Sequence, residues 1–161
     1  MRGGVHFRVF APRRRRVRIA LEGARELSLV RGDDGTFAGL AEGLGAGARY
    51  GIVLDDDPKI YPDPTSRFQP DGPHGLSEVI DPTSFSWTDG GRAGVTLRGQ
   101  VICEMHVGTF TREGTYAGAM RELAELRDAG ITLVELMPLA EFPGRFGWGY
   151  DGVDLYAPTR L

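Results

Sequence analysis

With 161 residues and 41% hydrophobic content, the chain holds enough apolar side chain to bury a core, and its length suits one domain, or one small domain with part of another. A formal net charge of -3 argues against general attraction to nucleic acid or an anionic membrane surface. Cys103 is the only cysteine, which leaves no internal disulfide and no cysteine-based zinc site.

From the N-terminus to Leu54 the apolar residues recur with a period of two. Val5, Phe7 and Val9 are followed by Val17, Ile19 and Leu21, then by Leu27 and Leu29, then by Tyr50, Ile52 and Leu54. Half-buried antiparallel strands repeat in this way. Between them stand "APRRRR", "RGDDG" and "GLGAG", turn-forming clusters at the spacing of a small β-sandwich. Arg13 to Arg16 form the one basic cluster; no aromatic residue is interleaved, so it reads as a solvated turn and not as a nucleic-acid patch. "GLGAGA" fits a loose G-x-G-x-x-A pattern, but no strand and helix frame it, and it reads as a turn. Phe10 and Phe37 look exposed and lie in no aromatic run that would make a binding platform.

The opening "MRGGVHFRVFAPRRRR" has no apolar segment ahead of its basic block, and no apolar run reaches eighteen residues, so the expectation is a cytoplasmic protein without a membrane span. The proline-rich stretch "DPKIYPDPTSRFQPDGPHG" has no period and is expected to be an ordered loop leaving the sandwich.

The second half changes character. "QVICEMHV" is a nearly continuous apolar run, followed by the loop "GTFTREG" and by "TYAGAMRELAELRDAG". There Tyr116, Met120, Leu123 and Leu126 recur at helical spacing, with Thr115 as N-cap and Gly130 at the C-terminal end. A second apolar run, "ITLVELMPL", follows at once. Strand, helix, strand with short links is a βαβ unit, whose parallel strands are expected to be buried on both faces, Cys103 among them. The domain boundary is expected near Gly94, giving residues 1–94 and 95–161.

The segments "FRVFAPRRRRVRIAL", "PDPTSRFQPDGPHGLSEVIDPTSFSWTD", "EMHVGTFTREGTY" and "LVELMPLAEFPGRFGWGYDGVDLYAPT" together resemble the α-amylase superfamily of glycoside hydrolases, and within it the trehalohydrolase branch. The resemblance implies an immunoglobulin-like, carbohydrate-binding-like β-sandwich followed by the first βαβ part of a catalytic (β/α)8 barrel. It implies an α-glucan or maltooligosyl trehalose as substrate, cleaved at the α-1,4 bond next to the terminal trehalose. The superfamily uses an aspartate nucleophile, a glutamate acid/base and a second aspartate, on the fourth, fifth and seventh barrel strands. Retention of configuration requires two carboxyl groups roughly 5 Å apart. A complete barrel needs about 250 residues, so residues 101–161 are expected to hold none of the three, and the chain is expected to be inactive by itself.

Tyr150 in "WGYDG" matches the tyrosine that, in this superfamily, stacks under the sugar whose bond is cleaved, and Trp148 is the second substrate-binding candidate. An aromatic face suits a pyranose because it covers the patch of C–H groups and leaves the hydroxyls for polar contacts. Phe142, Arg145 and Phe146 belong to the same loop and are candidates for the border of the cleft. Asp151 is expected to bond within the loop. His106, at the end of the first strand, is expected to bond loop carbonyls, and Glu135 to join a structural network. His6 and His74 have no metal-ligand spacing, and neither a metal nor a cofactor is expected. Protein partners are not indicated. A branching or debranching enzyme, and a non-catalytic carbohydrate-binding module, remain open beside the hydrolase.

Overall fold

The computed structural model describes residues 3–23 and 26–160. Two antiparallel sheets make up the first half. The first has the order β1 (Gly4–Phe10), β5 (Thr36–Glu42), β4 (Val30–Arg31); the second runs β3 (Leu27–Ser28), β2 (Val17–Leu21), β6 (Arg49–Leu54), β7 (Ile60–Tyr61), with β8 (Ser77–Glu78) also paired to β6. Phe7, Phe37 and Ala41 from the first sheet meet Val17, Ile19, Tyr50 and Ile52 from the second in one core, closed by Leu29 and Val79. The Phe7 and Tyr50 rings meet edge to face at 4.9 Å, and the buried Tyr50 hydroxyl donates to Asp63 at 2.8 Å. Burial first, and then the neighbouring Asp63 carboxylate, raise the Tyr50 phenol above its ordinary range.

The strands expected from the period of two are present, with two corrections. The segment around Leu27 and Leu29 does not form one strand: β3 pairs with β2 and β4 with β5, so the chain passes from one sheet to the other at the buried Leu29. Phe37 is not exposed but 1% accessible, at the centre of the core. Its strand, β5, has the inward series Phe37, Gly39, Ala41, and a Cβ at Gly39 would come within 2.9 Å of Leu29 Cδ2. The absence of a side chain there is what lets the crossing chain approach. Phe10 is exposed, as expected.

The arginine cluster is a turn held by carboxylates. Asp55, at φ 53°, accepts from the backbone N–H groups of Arg15 and Arg16 at 2.8 and 2.9 Å, and these bonds hold its carboxyl below the usual range. Arg16 also pairs with Asp56.

Residues 82–99 are exposed throughout and contain no strand or helix. Beyond them β9 (Ile102–Met105) leads through a single helical turn, α1 (Val107–Phe110), to α2 (Tyr116–Asp128) and then to β10 (Leu133–Leu136), which lies parallel to β9. The expected helix cap is present: Thr115 Oγ1 accepts from the Gly118 N–H at 3.0 Å, and Gly130 turns the chain out at φ 93°. A short hairpin, β11 (Ala140–Glu141) with β12 (Asp154–Pro158), completes the described chain.

The βαβ unit forms, but its strands are not buried on both faces. Ile102 and Leu136 are exposed, Cys103 is half-buried, and on α2 Met120 is 70% accessible. The sheet has two strands and one long helix, so most of its apolar surface has no layer against it among the described residues. For the same reason Glu135, expected in a network, is exposed; its register partner on β9 is another carboxylate, Glu104. No helix among the described residues is long and apolar enough to cross a membrane.

Candidate functional site

Parallel strands end on the same side of a sheet, so the loops that follow β9 and β10 converge. They enclose a cleft of about 790 Å³, with His106 and Thr109 on the β9 side, Met137 and Phe142 on the β10 side, and Arg145, Phe146 and Trp148 on the long loop between β11 and β12. The three loop residues named as border candidates therefore line it. Trp148 also lines it, with 83% of its surface free. Tyr150 stands outside this lining. Its ring is 69% accessible, and its hydroxyl lies 3.5 Å from Glu104 Oε1 on β9.

The loop that carries the two aromatics is fixed by its backbone. His106 Nε2 is 3.0 Å from the Gly147 carbonyl oxygen; a carbonyl can only accept, so this nitrogen carries the proton and donates. Nδ1 lies 3.1 Å from Thr109 Oγ1. The Trp148 N–H donates to Asp151 Oδ2 at 2.8 Å, the local role expected of Asp151. Gly149 is at φ 86°, and a Cβ there would lie 3.1 Å from Met137 Cε and 3.3 Å from His106 Cδ2. Gly147 packs on the Phe142 ring, where a Cβ would come within 2.7 Å. The positive φ at Gly149 favours glycine, and the space beside it is tight.

Behind the cleft lies a polar cluster that the sequence reading did not identify. Glu141, 1% accessible, accepts from Arg160 Nε at 3.2 Å and from Arg160 Nη2 at 3.1 Å. The same guanidinium donates through Nη1 to the Pro70 carbonyl at 3.4 Å and packs against Gly72. This fork ties the β11–β12 hairpin to the proline-rich connector. Beside it Gln69 is fully buried and faces Asp154, and neither the Gln69 amide nor Asp154 Oδ2 has a well-formed partner among the described residues. Burial raises the Asp154 carboxyl above its ordinary value; the nearby Gln69 amide opposes the rise and Glu141 adds to it. Because the folded state then holds its proton more tightly than the unfolded chain, stability falls as pH rises through the window that opens near the ordinary value of 3.8. Asp154→Asn should remove that cost, giving a higher urea midpoint than the parent chain at pH 7 and a flatter dependence in the window. An unchanged pH dependence would contradict the assignment.

No protein-family model matches the chain. Among solved structures it superposes on a Salmonella typhimurium protein named as an alpha amylase with a TM-score of 0.92 and 40% identity, over 98% of this chain and 27% of that one. A pullulanase from Bacillus acidopullulyticus gives a TM-score of 0.83 at 21% identity over 99% of this chain and 24% of that one, a likeness of fold alone. At 40% identity over 98% of its length, the chain falls in the α-amylase family of glycoside hydrolases.

Curated relatives narrow it. The chain is 44% identical over 154 residues, 96% of its length, to the malto-oligosyltrehalose trehalohydrolase of Saccharolobus solfataricus, and 44% identical over 155 residues, again 96%, to that of Deinococcus radiodurans. It spans 27% and 25% of those two proteins. The chain belongs to the family of the malto-oligosyltrehalose trehalohydrolases.

Proposed function

We propose that this chain is the N-terminal part of a glycoside hydrolase that releases trehalose from maltooligosyl trehalose by cleaving the adjacent α-1,4-glucosidic bond. The observation that carries the reading is the identity of 44% maintained across 96% of the chain. In this reading residues 1–94 form an immunoglobulin-like sandwich with its connector, and residues 95–161 open a (β/α)8 barrel whose first two strands are β9 and β10. Two things support the barrel assignment: the parallel pairing of β9 with β10, and a cleft at the C-terminal ends of the strands, where barrel enzymes place their sites. A branching enzyme from Rhizobium etli, 32% identical over 97% of the chain, keeps transglycosylation as the second reading.

In the proposal Tyr150 and Trp148 contact the glucan. Their open rings supply apolar faces for sugar C–H groups, and the turn that carries them is already fixed, so little order has to be gained on binding. The catalytic carboxylates lie outside this sequence. Asp151 accepts from the Trp148 amide and Glu141 is paired with Arg160, and in this reading neither serves as nucleophile or acid. In an enzyme with the span of its trehalohydrolase relatives, Tyr150→Ala should lower kcat/KM for maltooligosyl trehalose by about ten- to a thousand-fold, as expected for a stacking contact that strengthens toward the transition state. Chromatography of the products of the 161-residue chain itself should show no trehalose. Unchanged kinetics in a stable Tyr150→Ala enzyme would remove the tyrosine from the site.

A further inference from the structure

We propose that His106 is a positioning residue for the aromatic loop: it fixes the backbone at Gly147 and so sets the direction in which Trp148 and Tyr150 present their rings. The effect on catalysis rests on the glucan reading above; the effect on the loop does not.

His106 directly follows β9, while Gly147 is 41 residues further along, in a loop with no strand or helix between Phe142 and Val153. A loop of that kind ordinarily samples many conformations. Here two consecutive residues are hydrogen-bonded, the Gly147 carbonyl by His106 Nε2 and the Trp148 N–H by Asp151, and at the next residue, Gly149, the space a side chain would take is bordered by Met137 and His106. His106 makes the first of these bonds and also borders Gly149. Its ring is itself held by Thr109 Oγ1 on Nδ1, so the imidazole is braced between α1 and the loop.

The two aromatics flank Gly149. Their rings are largely solvent-accessible, and packing of the rings is therefore a weak source of order; the backbone between them must supply it. Gly149 lies at a dihedral angle that only glycine adopts freely. The bond to Gly147 holds that turn from the strand side, with the His106 ring beside the space a side chain on Gly149 would fill.

The imidazole geometry makes the test selective. A glutamine side chain can place its Nε2 donor close to where the His106 Nε2 donor stands, whereas an asparagine donor falls nearer the position of Nδ1. In the 161-residue chain, His106→Ala should increase amide exchange at Trp148 about tenfold, the worth of one net hydrogen bond to a loop. His106→Gln should stay within about threefold of the parent, and His106→Asn should behave as the alanine variant. Thr109→Val, which removes the brace and leaves the histidine, should give a smaller increase at the Trp148 amide and serves if His106→Ala does not fold. Equal exchange in the parent, His106→Ala and Thr109→Val chains would overturn the proposal, as would equal loosening in His106→Ala and His106→Gln.

A kinetic cycle in an enzyme of the relatives' span separates this from the glucan reading. His106→Ala should lower kcat/KM about tenfold in the parent and hardly at all when Tyr150→Ala is already present, because both changes act through one aromatic contact. Full additivity would overturn the positioning role. Insensitivity to both changes, with the exchange pattern as expected, would overturn the glucan contact and leave the loop role standing.

Discussion

Replacing Arg160 by methionine should loosen the β11–β12 hairpin by about 3 kcal/mol, while Glu141→Gln should cost only about 1 kcal/mol. The asymmetry follows from burial. Glu141 is 1% accessible, and the Arg160 side chain retains 40% exposure. Removal of the cation leaves a carboxylate buried without its two charge-assisted bonds; removal of the anionic charge leaves a guanidinium that can turn to water and still meet the Pro70 carbonyl. Partial exposure of Arg160 screens the pair, which places the expected cost at the low end of the range for a buried ion pair. The amides to observe are those of Val153, bonded to the Glu141 carbonyl, and of Thr159, bonded to the Leu139 carbonyl. Their exchange should accelerate by about two decades in Arg160→Met. Combining both changes should recover part of the loss, since no charge is then left buried. Equal costs for the two single variants would mean that the pair stabilises through shape and not through charge.

Hydrogen exchange of the unmodified chain should divide it in two. Amides of Ile19, Ile52 and Ala38 lie within ladders that cover the core and should exchange about a thousand-fold more slowly than those of Cys103, Glu104 and Val134, because local opening costs least where little apolar surface is covered. Every buried member of the core cluster lies between Phe7 and Val79. The β9–β10 pair has two strands, leaves Ile102 and Leu136 exposed, and is covered by a helix whose Met120 and Leu123 face solvent. Two strands that leave this much apolar surface uncovered are marginal by themselves. Comparable protection in both sets would show that the second half is stable in its own right.

Much of this was legible from residue periods alone. Antiparallel strands announce themselves when the inward positions are large and apolar, as in Val17, Ile19, Leu21 and again in Tyr50, Ile52, Leu54. The period vanishes in β5, whose inward series of Phe37, Gly39 and Ala41 dwindles to nothing at its middle while Leu40 points to solvent. What shaped that strand was the chain crossing above it at Leu29, a neighbour ten residues away that no window on β5 itself reveals. The polar cluster was hidden for a related reason. Gln69 and Asp154, like Pro70 and Arg160, are far apart in sequence, and each alone has the composition of an ordinary surface position. The aromatic loop is the opposite case: composition marked it as a turn, and only the resemblance to glucan-processing enzymes singled out Tyr150 and Trp148.

The confinement of the core to residues 7 to 79 bears on the order of events during synthesis. Domains generally fold from the N-terminus as translation proceeds, and here the apolar core cluster has all its members once Val79 has left the ribosome. The exposed stretch of residues 82–99 follows as a spacer. The apolar runs of β9 and β10 then emerge beside a neighbour that is already closed and offers no unpaired core for them to invade. A nascent chain whose residue 100 has just cleared the exit tunnel would carry a closed core, with the apolar runs of β9 and β10 still inside the tunnel.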